Sequence, residues 1–145
     1  MKITGVDPGH YLTSIADDDI RSTMIELDTI IGVALPERQR DLWQGIFWGG
    51  TEQTIIGYGR LLQPRPRGTD VKWFLVGLAR QKRNYSLYVN ATSEDHYLTS
   101  EYADRLGNVK LGAASIGFTR LTNVEPAALR ELLTVADEST PKDAW

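Results

Sequence analysis

The run Trp73-Phe74-Leu75-Val76-Gly77-Leu78 is apolar on both of the faces that a strand presents, and this constrains the fold more than any other stretch. It reads as a central strand. Its surroundings carry the same period from Gly45 to Val89. Residues 45 to 48 and 54 to 61 flank a polar turn at Gly49, Gly50 and Thr51, and Tyr85, Leu87 and Val89 alternate with Ser86 and Tyr88. A connection rich in Pro and Gly at 63 to 71 and a tight polar turn at 81 to 84 make these strands antiparallel neighbours in a meander.

Helical periodicity brackets this platform. Ile20, Met24, Leu27 and Ile31 fall at steps of four, three and four, one stripe of a helix. Asp17, Asp18 and Asp19 precede it, where carboxylates accept hydrogen bonds from the free first-turn amides. Pro36 ends this helix or opens the next, a short one through Arg40 and Trp43 in which it would sit in the first turn. A further helix is expected from about Glu94 to Leu106, with Thr92 and Asp95 spaced as a capping box and Gly107 closing it. A strand follows at roughly 111 to 120. The last helix begins near Asn123, takes Pro126 in its first turn and presents Leu129, Leu132, Leu133 and Ala136 on one face. The segments at about 1–12 and 139–145 are poorly patterned, and the tail after Glu138 is expected to fray.

The expectation is therefore one α+β domain over 1–145 in two layers, an antiparallel sheet of about five strands with helices mainly on one face. A chain of 145 residues, 41% hydrophobic and 24% charged, is long enough for one sizeable core. It has no cysteine, which excludes disulfides, thiolate zinc sites and cysteine nucleophiles. Its longest aliphatic stretches, such as Ile30 to Leu35, are far shorter than the roughly 20 residues that cross a bilayer. The segment from Met1 to Leu12 lacks the apolar core of a secretion signal, so no membrane partner and cytoplasmic residence are expected.

In order along the chain, Trp48-Gly49, Ile56-Gly57-Tyr58-Gly59, Gly77 through Lys82, and Leu87-Tyr88 resemble the central sheet of the YdhG-like domains. Leu106-Gly107, Lys110, Gly112, Ile116, Leu121 and Val124 are similar to that family's closing strand and helix. The likeness spans roughly residues 18 to 137. Two positions depart from the family pattern: Leu78-Ala79-Arg80-Gln81-Lys82 stands where an aromatic and a serine usually precede the basic pair, and Asn123 stands where Asp is frequent. The resemblance implies a frataxin-like shape and, from bacterial members described as iron chaperones, iron handling.

Loose iron binding needs exposed carboxylates with open coordination positions. Asp17, Asp18, Asp19 and Glu26 are the candidates, with Arg21 in the same patch; the alternative is a capped, dipole-matched helix start. A second reading is phosphate or nucleic-acid contact. Between Arg60 and Arg83 lie seven basic residues (Arg60, Arg65, Arg67, Lys72, Arg80, Lys82, Arg83) against one acid, Asp70, within a net charge of −3. Were residues 72 to 79 one strand, the two ends of this set would lie about 25 Å apart, so nucleic acid is not the expected partner, and strand-end protection accounts for the charges. A third reading is a pocket between helices and sheet, where Trp48, Tyr58, Trp73, Tyr88 and Lys110 surround a small anionic ligand, the alternative being ordinary core. No catalytic residue is assigned. His10 and His96 lack a metal partner at helical spacing, the i+4 neighbour of His96 being Ser100. Gly57 and Gly59 sit inside a strand, which is the wrong context for a dinucleotide loop. A protein partner or a second copy of the chain stays open. A non-enzymatic binding or accessory role is the functional expectation.

Overall fold

The computed structural model describes residues 1–46, 50–64 and 67–145. In chain order the elements are β1 (Lys2–Ile3), α1 (Pro8–Thr13), α2 (Asp18–Ala34), β2 (Arg40–Ile46), β3 (Glu52–Tyr58), β4 (Leu61–Gln63), β5 (Val71–Trp73), β6 (Val76–Arg80), β7 (Tyr85–Val89), β8 (Thr92–Ser93) and β9 (His96–Tyr97). A 3-10 turn (Leu98–Tyr102), β10 (Lys110–Leu111), β11 (Ser115–Phe118), a second 3-10 turn (Leu121–Asn123) and α3 (Pro126–Glu138) follow.

The fold is α+β. Among the described residues seven strands form one antiparallel sheet in the order β1-β2-β3-β6-β7-β11-β10. Its five central strands match the expected number; the other two are edge strands of two residues each. Two small hairpins, β4–β5 and β8–β9, stand off the sheet.

Side-chain alternation sorts the sheet into two faces. Leu42, Ile56, Tyr58, Val76, Leu78, Leu87, Val89 and Ile116 point toward the helices and share a core with Met24, Leu27 and Ile31 of α2 and Leu129, Leu132 and Leu133 of α3. Each of these fully buried aliphatic side chains contributes about 1.5–3 kcal/mol. The opposite face carries a second, smaller core of Trp43, Ile55, Phe74 and Ala79, with Met1, Trp73, Tyr88 and Trp145 packed on it. No helix among the described residues covers that side, because the apolar stripes of α1, α2 and α3 all join the first core.

Gly57 and Gly77 are directly paired across β3 and β6. A Cβ on Gly77 would fall 2.4 Å from Phe74 Cε1, and one on Gly57 would fall 2.6 Å from Trp43 Nε1. The missing side chains are what let Phe74 and Trp43 lie flat on the sheet.

The long helices start as the sequence predicts. Asp17 accepts a hydrogen bond from the Ile20 amide at 2.9 Å, and Pro126 occupies the first turn of α3. Elsewhere three expectations are corrected. Residues 36–43 are a turn running into β2, and Trp43 is a strand residue on the helix-free face. Residues 94–106 hold no α-helix: Glu94 turns at φ 57°, the β8–β9 hairpin forms, and the 3-10 turn buries Leu98 and Tyr102. The tail after Glu138 is fastened rather than frayed. Arg38, whose side chain is 8% exposed, donates to Asp137 Oδ1 at 2.7 Å and to the backbone oxygens of Asp137, Thr140 and Pro141. Asp143 then accepts from the amides of Gln39 and Arg60, and Trp145 Nε1 donates to the Leu61 oxygen.

Candidate ligand-binding site

The expected pocket residues divide between the two faces. Tyr58 is buried on the helix side, where its hydroxyl donates to Asp28 Oδ1 at 2.6 Å and Arg40 donates to both Asp28 oxygens. Burial, reinforced by the Asp28 charge, holds the Tyr58 hydroxyl well above its ordinary pKa of 10.0. It is a core tyrosine. Trp48 lies outside the described residues. Trp73, Tyr88 and Lys110 remain, and all three are on the helix-free side, not between helices and sheet.

There the sheet floor is built of small and amide side chains. In the register Gly77↔Tyr88↔Ser115 and Ala79↔Ser86↔Gly117↔Lys110, Tyr88 is the large residue standing between a glycine and a serine. Trp73, at the end of the β4–β5 hairpin, forms one wall by stacking on Phe74 at 4.4 Å and meeting Trp43 edge-on. Tyr97 of β9 and the Ala113–Ala114 loop form the other wall. That loop is fixed by two bonds: Thr99 Oγ1 donates to the Ala113 oxygen at 3.0 Å and the Val89 amide to the Ala114 oxygen at 2.8 Å.

Between these walls is a trough of about 470 Å³, completed by Gln53, Gln63, Gln81, Asn90 and Ser115. Its volume falls within the range of small-molecule sites, about 300–1,000 Å³. Gln81 is rigid: its Nε2 donates to the Tyr88 hydroxyl at 2.8 Å while its Oε1 accepts from Ser86 and Asn84. Asn90, also in the lining, is anchored by its Nδ2, which donates to the Phe74 oxygen at 2.8 Å. Burial raises the Tyr88 pKa against the opposing bonds to Gln81 and Ser86, so the hydroxyl stays neutral at physiological pH. Among the described residues no charged side chain lines the trough.

A second depression adjoins it. Gln81, Tyr88 and Ser115 line both, and the second adds Asn84, Ser86, Lys110 and the glycines 112 and 117. Lys110 is exposed and has no ion-pair partner among the described residues.

The acidic candidates do not converge. Asp17 caps α2, Asp18 pairs with Arg21, and Asp19 and Glu26 are exposed two helical turns apart, about 10 Å along the axis. Among the described residues no three His, Asp or Glu side chains gather around a point that could hold a metal. The basic set is likewise dispersed. Arg60 pairs with Asp41 and, with Lys72, lies over the Trp145 ring; Arg80 lies over Tyr85 on the opposite face. Arg67, Lys82 and Arg83 are exposed, and Arg65 is outside the described residues. Residues 72–79 are divided between β5 and β6 rather than forming one strand. His96 does meet carboxylates, Glu101 at 3.1 Å and Asp95 at 3.7 Å, on an exposed hairpin. The helical expectation for this segment hid that pairing.

Compared with protein-family models, curated proteins and solved structures, the chain matches none. No helix among the described residues is long and apolar enough to cross a membrane. Gln53, Gln63, Gln81, Asn90, Tyr97 and Ser115 are the site residues that sequence reasoning missed. For Gln53 and Ser115 the signal in reach was alternation, since the residues between the core positions of β3 and β11 must face the other way.

Proposed function

We propose that this chain is a non-enzymatic binding domain that holds a small ring-bearing molecule in the trough on its helix-free face. The observation that carries the reading is the convergence of Trp73, Tyr88 and Tyr97 with four side-chain amides in a lining that carries no charge among the described residues. Aromatic faces hold the flat side of a ring, and fixed amides hydrogen-bond its edge. Gln81, locked by its own bonds, and Asn90, anchored on Phe74, offer this without reorganisation. Among the described residues the lining carries no carboxylate, histidine or lysine, and burial keeps the Tyr88 hydroxyl neutral, which supports binding rather than turnover.

Iron delivery, which the YdhG-like resemblance implies, has no observation in its favour, since the four acidic candidates are divided between a cap, an ion pair and two separate exposed positions. Dispersal of the basic residues over both faces equally disfavours a phosphate-backbone groove.

The test is backbone amide shift mapping with two neutral ring probes, adenosine and methyl β-glucoside, titrated to millimolar concentration. At least one should perturb the amides of Gln81, Tyr88, Asn90, Tyr97 and Ser115, and Trp73→Ala should weaken it about tenfold or more. Perturbations scattered elsewhere, or none with either probe, would overturn the reading.

A further inference from the structure

The trough does not end at its neutral lining. It opens, across the shared residues Gln81, Tyr88 and Ser115, into the depression that holds Lys110. The backbone geometry keeps this passage clear. Gly117 lies between Ser86 and Lys110 in the cross-strand row, and a Cβ built there would reach Asn84 Nδ2 at 3.5 Å and the Lys110 Cβ at 4.0 Å. The absent side chain thus leaves the floor level, with Lys110 rising from the same face at the far side. Lys110 is the one charged side chain among the described residues lining this depression, and no carboxylate lines it.

Resting on the binding reading above, we propose that the ligand is a ring carrying a single anionic substituent, with the ring between Trp73 and Tyr97 over Tyr88 and the anion at Lys110. A neutral slot that excludes charge beside one uncompensated ammonium is complementary to that class. It is complementary neither to a neutral molecule alone nor to a polyanion, which needs several cations. Asn84 Nδ2 and Ser86 are already bonded to Gln81 and hold the floor. A phosphate or carboxylate would therefore take its charge-assisted bond from Lys110.

Two matched pairs test this and separate its sources: adenosine against adenosine monophosphate, and methyl β-glucoside against glucose 6-phosphate, each measured by calorimetry at low salt. In the pair whose ring fits, the charged member should bind about tenfold tighter. That advantage should vanish in Lys110→Gln and shrink at high salt, while the neutral member's affinity stays unchanged. Lys82→Gln, a charge removal from a neighbouring depression that shares Gln81, should leave the advantage intact. Equal binding of both members, or an advantage abolished by Lys82→Gln but not by Lys110→Gln, would overturn the placement of the anion and leave the trough reading standing. If no probe, charged or neutral, binds at all, both readings fail together.

Discussion

Tyr58 shows how one residue can look like a ligand contact in sequence and serve the core in space. Its ring fills the helix-side interior while its hydroxyl neutralises part of the Asp28 charge alongside Arg40. Removing the hydroxyl with Tyr58→Phe should cost about 1.5–3 kcal/mol in urea unfolding at neutral pH, the range for a bond to a charged acceptor. The cost depends on pH in a defined direction. The folded-state pKa is raised above 10.0, so above pH 10 the unfolded chain releases a proton that the folded chain retains, and wild-type stability falls as pH rises. The gap between wild type and Tyr58→Phe should therefore narrow between pH 9 and 11, and a constant gap would contradict the assignment. Tyr11, Tyr88 and Tyr102 are raised as well, so the variant keeps a residual alkaline slope. On the other face Trp43 carries a different burden. Its Nε1–H is buried with no hydrogen-bond partner among the described residues, a cost offset by the ring's edge-on contacts with Trp73, Phe74 and Trp145.

At the scale of elements, the glycines of this chain have opposite meanings by location. Gly77→Ala would drive a methyl to 2.4 Å from Phe74 Cε1 and 3.0 Å from Ile55 Cγ2, and should cost about 1–3 kcal/mol or more by overpacking. Gly32→Ala, in the exposed part of α2 with open space around it, should instead stabilise by about 0.5–1 kcal/mol through helix propensity. Urea midpoints of the two variants should move in opposite directions. Elements with a local code were legible in the sequence. The stripe Ile20, Met24, Leu27 and Ile31 and its Asp17 cap specify α2 within a few residues, and the alternation of Tyr85 to Val89 specifies β7. The segment 94–106 was not, because Thr92, Glu94, Asp95 and Gly107 are signals shared by helix caps and tight turns. Leu98, Tyr102 and Leu106 also fall at the four-residue step of an α-helix, although the chain buries them from a 3-10 turn and the loop after it. The trough was half legible for the same reason. Trp73 and Tyr88 announce themselves as aromatics, whereas Gln53, Gln81 and Ser115 acquire meaning only once the sheet register aligns them.

In the whole molecule, the least legible feature is the closure made by residues 139–145, because its partners lie about a hundred positions away. Arg38 draws two backbone oxygens of this segment, those of Thr140 and Pro141, and two oxygens of Asp137 at the end of α3 around one guanidinium, and Asp143 ties the segment to the residues that lead into β2 and β4 through the Gln39 and Arg60 amides. Arg38→Met should cost about 2–4 kcal/mol. That is below the value for a fully buried pair, since the Asp137 side chain keeps 29% exposure. Hydrogen exchange should then show lost protection at Gln39, Arg60 and Ala144 ahead of the central strands. The strap brings Trp145 against Trp43, beside Trp73, while the interior under the helices holds no tryptophan among the described residues. The molecule is therefore optically lopsided. Emission from the three described tryptophans watches the strap and one trough wall rather than the layer beneath α2 and α3, so a detached tail should redden that emission while the far-ultraviolet dichroism of the helices stays unchanged.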